Sequence, residues 1–222
     1  MAKSTLLKSS IAKKVAMALS GLFLVSFLSL HFFINMVSVF SADAFNEMSH
    51  FMGYNPLIQY VMQPVLIVGV IFHFVMGFVL EIKNRNARPV AYVKFDGAAN
   101  STWASRNMII SGLVVLAFLG LHMYDFWFHE MTYKYIDAGV ISETRYFEEL
   151  VHKFESPVRT GLYCVAFVLL ALHLWHGFAS SFQSVGFDNK IAKSLHKICY
   201  AFAIIVPVGF IFIALFHHFN QI

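Results

Sequence analysis

The fold is decided by residues 57–82, LIQYVMQPVLIVGVIFHFVMGFVLEI, an apolar run in which Glu81 is the one charged residue. A helix needs about 20 apolar residues to cross the hydrocarbon core of a bilayer, so this run is long enough. Four other stretches have the same character, at about 15–40, 107–128, 158–184 and 199–219. The sequence therefore predicts an all-α integral membrane bundle of five transmembrane helices, with residues 1–222 forming a single domain.

The amino-acid composition excludes the common classes of soluble protein. Hydrophobic residues make up 59% of the chain and charged residues 13%, and the mean hydropathy is +0.67. Soluble domains are about half apolar and about a quarter charged. The chain lacks the polar residues to cover a water-soluble globule, which excludes a cytosolic enzyme, a disordered protein and a secreted disulfide scaffold.

Positively charged residues predict the orientation of the five spans. Of the 16 Lys and Arg residues, four precede the first span, five lie between the second and third, and three lie between the fourth and fifth. Cytoplasmic loops carry an excess of Lys and Arg, so the N-terminus is predicted to be cytoplasmic and the C-terminus outside. The net charge of +4 is then a topology signal that also attracts anionic membrane lipid, and no nucleic-acid partner is expected.

Five histidines lie inside the apolar runs of the first four spans: His31, His73, His122, His173 and His176. An ionisable side chain within the bilayer is costly and usually marks a functional site. At the helical rise per residue, His31 and His122 lie about 24 Å from the cytoplasmic edge, whereas His73 and His176 lie about 15–18 Å from it. These depths predict two pairs, and in the fourth span they favour His176 over His173 only slightly.

Paired neutral imidazoles at one depth on neighbouring helices suit haem, whose iron takes one axial ligand from each face. No carboxylates accompany the histidines at the spacing of a di-iron or zinc site. The motif C-x-x-C-H is absent, which excludes covalently attached c-type haem. A proton relay would need a chain of titratable groups, and the cores of the second and fifth spans hold none besides His73. The pattern therefore predicts two b-type haems that carry electrons between the two faces of the membrane.

Short motifs in the first four spans resemble those of one family. They are SGLFL at 20–24 with HFF at 31–33, HFVM at 73–76 with RPVAY at 88–92, LGLHMY at 119–124, and WHGF at 175–178. In this order and topology they resemble the cytochrome b membrane anchor of succinate:quinone oxidoreductase, in the single-subunit, five-helix, two-haem type found in many bacteria. The resemblance covers essentially the whole chain.

The resemblance implies four haem ligands and their pairing. His73 and His176 would hold the haem nearer the cytoplasm, and His31 and His122 would hold the outer haem. The His-Gly match at residues 176–177 selects His176 over His173, which is then expected to pack beside the ligands.

Other residues are expected around the haems and at a quinone site. Arg106 and Lys197 lie near the predicted inner surface, where they would neutralise haem propionates. A quinone needs groups that exchange protons with its carbonyls. The first outer loop offers Glu47 and His50 for this role, and menaquinone is the quinone expected for this type of anchor.

The resemblance also implies the partners and the reaction. Such anchors are multi-pass proteins of the bacterial cytoplasmic membrane, and they bind a flavoprotein and an iron–sulfur subunit on the cytoplasmic side. Electrons from succinate pass through the haems to the quinone, so this subunit is not expected to be an enzyme by itself. Leu174 stands where some fumarate-reducing relatives carry a glutamate, which favours succinate oxidation.

Three alternatives remain open. The nearest is the same subunit in a fumarate reductase, working in the opposite direction. A second is the cytochrome b anchor of a hydrogenase or formate dehydrogenase, whose purified complex would lack flavin. A third is a transporter or structural membrane protein without haem, which would show no Soret band.

Overall fold

The computed structural model describes residues 9–87, 103–137, 142–187 and 190–220, and within them the chain forms helices and no strand. In chain order the α-helices are α1 (Ser10–Val37), α2 (Ala42–Tyr54), α3 (Gln63–Asn86), α4 (Trp103–Arg106), α5 (Met108–His122), α6 (His129–Tyr135), α7 (Arg145–Glu155), α8 (Pro157–Ser184) and α9 (Lys190–Phe219). The RPVAY motif at 88–92 lies outside the described residues. The predicted all-α fold is confirmed.

Five segments are long and apolar enough to cross a membrane, and they coincide with the five predicted spans. They are Ser10–Val37, Ile58–Asn86, Met108–Tyr135, Pro157–Ser184 and Ser194–Phe219. The chain is therefore a multi-pass membrane protein. The cytoplasmic position of its N-terminus stays a prediction.

Two spans contain a π-helical turn, in which each hydrogen bond reaches one residue further than in an α-helix. Ile58–Met62 forms such a turn before α3, and Met123–Phe128 forms another between α5 and α6. The second turn joins α5 and α6 into one span, which ends at Tyr135 rather than near the predicted residue 128. π-Helical turns are rare and are frequent at functional sites. This one follows directly after His122.

The five spans pack into one bundle. The helix α8 contacts α1, α5 and α9, while α1 also contacts α3 and α9, and α3 also contacts α5. The helices α1, α3, α5 and α8 therefore form a closed ring around a common interior, and α9 packs against α8 and α1. No residue of α3 is buried, whereas α8 buries six residues, so α3 is the most loosely packed member of the ring.

The largest apolar core joins α1, α8 and α9 to the two short helices α2 and α7. Its buried members are Ile34, Phe45, Leu150, Phe154, Tyr163, Phe167, Val206, Phe210, Ile213 and Ala214. Phe45 comes from α2, and Leu150 and Phe154 come from α7. Burying one large apolar side chain contributes about 1.5–3 kcal/mol. These three side chains therefore attach α2 and α7 to the end of the bundle that is predicted to face outward, and we refer to α2 and α7 as the cap.

The helix α2 was not predicted from the sequence, although its start has a recognisable signal. The Ser41 hydroxyl accepts a hydrogen bond from the Ala44 N–H at 3.2 Å, as serine commonly does at the start of a helix. Asn46 of α2 is buried, and its side-chain oxygen accepts a hydrogen bond from the Phe147 N–H at 2.8 Å. This bond ties α2 to the first turn of α7, where the helix has no partner of its own for that N–H.

Candidate functional site

The first pair of intramembrane histidines joins α1 to the last residue of α5. The ring centroids of His31 and His122 are 5.6 Å apart, and the rings are nearly perpendicular, at 80°. Each ring stacks on a phenylalanine one turn earlier in its own helix, with centroids 5.5 Å apart for Phe27 and 5.8 Å apart for Phe118. Phe210 of α9 packs against His31 from another side, at 5.8 Å. The rings are thus held in place by aromatic contacts rather than by ion pairs.

The spacing of this pair fits two axial ligands on one metal. Bonds from a metal to imidazole nitrogen are about 2 Å long, so the centroids of two opposed imidazoles lie about 6 Å apart. In addition, the Nδ1 atom of His122 is buried and has no hydrogen-bond partner in the described part of the chain. Leaving such an atom unsatisfied costs about 1–3 kcal/mol. Both the distance and the unsatisfied nitrogen are consistent with a site that receives a further group.

The second pair joins α3 to α8. The ring centroids of His73 and His173 are 6.4 Å apart, at an angle of 70°. The Nδ1 atom of His73 lies 2.9 Å from the Ser20 hydroxyl of α1. His173 packs against Gly112 of α5, where an added Cβ would be 3.5 Å from its Cε1 atom. All four helices of the ring therefore contribute to the surroundings of this pair.

The sequence predicts that His73 and His176 hold one haem, and the structure brings another histidine of α8 next to His73. Both residues are described, and no ring contact joins them, whereas His173 lies directly opposite His73. Three residues along an α-helix move a side chain by about 4.5 Å along the axis and about 60° around it. Estimates of depth by counting residues carry an error of about one turn, so they do not separate the two positions. The ring contact joins His73 to His173, and the role of His176 as a haem ligand stays a prediction.

The two pairs lie at two levels of the bundle. His73 contacts the Ser20–Gly21 region of α1, which precedes His31 by ten to eleven residues, or about 15–16 Å along the helix. In α5, Gly112 contacts His173 and precedes His122 by ten residues, or about 15 Å. Two helices thus give the same separation independently. Four of the five intramembrane histidines therefore form two pairs, one above the other along the bundle axis and about 15 Å apart.

A charged cluster lies beside His31 and His122, which we call the outer pair because their end of the bundle is predicted to face outward; His73 and His173 are the inner pair. Asp125, in the π-helical turn after His122, has a fully buried side chain. It accepts a hydrogen bond from the Tyr163 hydroxyl at 2.8 Å and another from the Arg159 guanidinium. The Tyr163 ring is 6.2 Å from that of His122. Sequence reasoning assigned no partner to Asp125, although a carboxylate at the end of an apolar run was the available signal.

The cap holds a second charged cluster, centred on Arg145. Its guanidinium pairs with Glu130 and, at 2.6 Å, with Glu149. Burial acts to lower the pKa of Arg145, but the two carboxylates outweigh this effect, so the pKa lies above its ordinary value. Burial also raises the pKa of Tyr146, and the negative charge of Glu130 raises it further. Arg145 of the cap therefore stays charged, and the Tyr146 hydroxyl stays neutral, at pH values well above 7.

The two residues predicted for a quinone site have different surroundings. His50 stacks on Tyr54, with ring centroids 4.5 Å apart, and its Nε2 atom is 3.9 Å from a carboxylate oxygen of Glu143. Glu47 is exposed. The structure thus brings His50 into an aromatic cluster of the cap and leaves Glu47 on the surface.

The residues predicted to neutralise propionates are both exposed. Arg106 is the last residue of α4, immediately before the third span, and Lys197 lies in the first part of α9. Their predicted role stays a prediction.

Among the described residues, no group of three or more His, Cys, Asp or Glu side chains could hold a metal ion. Comparison of the chain with models of protein families, with curated proteins and with solved structures finds no match. The geometry of the site and the sequence motifs are therefore the observations that bear on the function of the chain.

Proposed function

We propose that this chain is a dihaem cytochrome b, in which His31 and His122 bind an outer haem and His73 and His173 bind an inner one. The observation that carries the proposal is the pairing itself: two histidine pairs, drawn from four membrane helices, at two levels about 15 Å apart. Each pair has the ring spacing that two axial ligands require. His176 is replaced by His173 in this proposal.

The residues of the chain bind and orient the cofactor, and the bound haem supplies one-electron chemistry. Phe27 and Phe118 fix the planes of the outer imidazoles by stacking on them. Ser20 and Ser111 lie beside the inner imidazoles. The apolar surfaces of the ring helices keep water away from both levels, and the stacking of the levels gives electrons a route along the bundle.

We further propose that the route connects a cytoplasmic succinate dehydrogenase to menaquinone. The resemblance of the four motifs supports a cytochrome b anchor that binds a flavoprotein and an iron–sulfur subunit in the bacterial cytoplasmic membrane, and its fourth motif carries His176 rather than the proposed ligand His173. With His173 as the ligand, the residue two positions earlier is Ala171 rather than Leu174. Neither is a glutamate, so the succinate-oxidising direction stays favoured over fumarate reduction. Flavin in the purified complex separates this assignment from a hydrogenase or formate dehydrogenase anchor.

The proposal is tested by counting haems in the purified chain. Two b-type haems per chain are expected from the pyridine haemochrome spectrum. His122→Ala is expected to retain one, because the outer pair loses a ligand while the inner pair is about 15 Å away. His152→Ala is the matched control, since His152 is exposed on the cap and its side chain is 74% accessible. A colourless wild-type chain, or a His122→Ala variant that keeps both haems, would refute the proposal.

A further inference from the structure

Two segments of the bundle share one sequence pattern. Residues 20–31 read SGLFLVSFLSLH and residues 111–122 read SGLVVLAFLGLH, and seven of the twelve positions are identical: Ser, Gly, three Leu, Phe and His. Each segment ends on a histidine of the outer pair and begins with Ser-Gly beside a histidine of the inner pair. The repeated feature that the haem-ligand assignment leaves unexplained is the serine.

The Ser20 hydroxyl has one hydrogen, and that hydrogen is already used. It is donated to the Met17 carbonyl oxygen of the preceding turn, at 2.7 Å. The Nδ1 atom of His73 lies 2.9 Å from the same oxygen. Both contacts are hydrogen bonds at the same time only when the hydroxyl gives its hydrogen to the Met17 oxygen and its own oxygen accepts the hydrogen of Nδ1, and we assign this arrangement. His73 then carries its hydrogen on Nδ1, and the lone pair of the neutral ring is on Nε2.

Ser111 repeats this arrangement in α5. Its hydroxyl donates to the Met108 carbonyl oxygen at 3.0 Å, and the Nδ1 atom of His173 is 3.4 Å from the same oxygen. The longer distance makes this the weaker of the two bonds. Both inner histidines are therefore directed to the same tautomer by serines at equivalent positions of the repeated segment.

The outer pair has no such support. The Nδ1 atom of His31 faces the side-chain amide of Asn35 at 3.4 Å, and that of His122 has no partner among the described residues. The serine contact is thus absent from the outer pair. It recurs at His217, which is not a proposed ligand: its Nε2 atom lies 2.8 Å from the Ser38 hydroxyl, which donates to the Asn35 carbonyl oxygen at 2.6 Å.

We propose that Ser20 and Ser111 are positioning residues that hold His73 and His173 in the Nδ1–H tautomer, so that the Nε2 atoms of both are available to the inner haem iron. This inference rests on the proposed function. A hydrogen bond from the second ring nitrogen fixes the orientation of a metal-binding histidine and raises its basicity. A more basic ligand stabilises ferric over ferrous iron, so the two serines lower the midpoint potential of the inner haem.

The first test measures the tautomer in the full chain without haem. Nitrogen chemical shifts of selectively ¹⁵N-labelled histidine distinguish the two tautomers, and the resonances of His73 are assigned by their loss in His73→Gln. His73 is expected in the Nδ1–H form in the wild type and as a mixture in Ser20→Ala. Ser26→Ala is the matched control, because Ser26 lies in the same helix and, within the described ranges, its hydroxyl hydrogen-bonds only to the Leu22 carbonyl oxygen, at 2.9 Å. An unchanged tautomer in Ser20→Ala would overturn the inference.

The second test measures the midpoint potential of each haem in the loaded protein by optical titration. Loss of a hydrogen bond to a metal ligand changes metal binding about 10- to 100-fold, and a tenfold change that favours ferrous iron raises a one-electron potential by about 59 mV. Ser20→Ala is expected to raise the potential of the inner haem alone, and Ser20→Thr, which keeps the hydroxyl, is expected to restore it. An inner potential equal to that of Ser26→Ala would contradict the inference even with both haems present. Absence of haem from the wild type would instead refute the proposed function, and the tautomer measurement would still decide the role of the serines.

Discussion

Substitution of His173 separates the structural assignment from the sequence prediction. In His173→Ala, the imidazole that lies 6.4 Å from His73 is removed, so the inner site keeps one ligand of two. His176 does not replace it, because its position is displaced by about 4.5 Å along α8 and about 60° around it. An imidazole bond to a metal is about 2 Å long, so a displacement of this size is too great to be bridged without moving the helix. We therefore expect the haem content to fall from two per chain to one, with the outer haem retained.

The assay is the same haem count, with His176→Ala as the matched control. That variant removes a histidine from the same helix, one turn away, and is expected to keep both haems. The α-band absorbance per chain should therefore halve in His173→Ala and stay unchanged in His176→Ala. The opposite result, with haem lost only in His176→Ala, would refute the pairing read from the ring contacts and restore the prediction made from sequence.

Two further predictions concern the outer end of the bundle. Replacing Arg145 with Met leaves Glu130 without its guanidinium partner, but Lys134 still pairs with Glu130 at 2.7 Å, so the free energy of unfolding in micelles titrated with dodecyl sulfate should fall by about 1–3 kcal/mol. Replacing Asp125 with Leu leaves the Tyr163 hydroxyl and the Arg159 guanidinium without their common acceptor, at about 1–3 kcal/mol for each group. The midpoint temperature of helix loss by circular dichroism should drop accordingly.

The ion pair of Arg85 with Glu81 provides the control for both measurements. It also joins an arginine to a glutamate, but the two side chains are 72% and 33% exposed, and exposed pairs contribute about 0–1 kcal/mol. Arg85→Met should therefore unfold almost like the wild type. If Arg145→Met is no less stable than Arg85→Met, the Arg145 cluster does not stabilise the cap. If Asp125→Leu keeps the wild-type midpoint temperature, the buried cluster beside His122 does not stabilise the bundle.

The five spans could be predicted from the sequence because each is a long apolar run, and a bilayer leaves few other ways to bury one. Counting residues also predicts two levels of histidines, since the rise per residue of a helix is fixed. The choice between His173 and His176 did not follow, because it depends on which face of α8 meets α3 and α5. That rotation is set by side-chain packing, which the spacing of residues along one helix does not encode.

The ends of the spans were also beyond the sequence prediction. The third span continues to Tyr135: a π-helical turn at Met123–Phe128 is followed by α6, which includes the polar residues after Phe128. Apolar periodicity is the signal for a helix, and it fails where one turn contains an additional residue. The serine contacts were missed for another reason. In the sequence, Ser20 was noted only as part of a family motif. Its similarity to Ser111 becomes informative once the structure shows that both serines contact a histidine.

The π-helical turn at Met123–Phe128 also divides the third span mechanically. One added residue advances the helix by about 100°, so the side chains beyond the turn keep a different angular register from those before it. His122 belongs to the first register. Glu130, which pairs with Arg145 of the cap, and Lys134, which donates to the Gly53 carbonyl oxygen of the cap, belong to the second. Deleting a single residue from the turn would rotate the outer segment as a block and would separate it from the cap, with the buried segment unmoved. A change in chain length at this one point is therefore a means of remodelling the cap end of the protein independently of its interior.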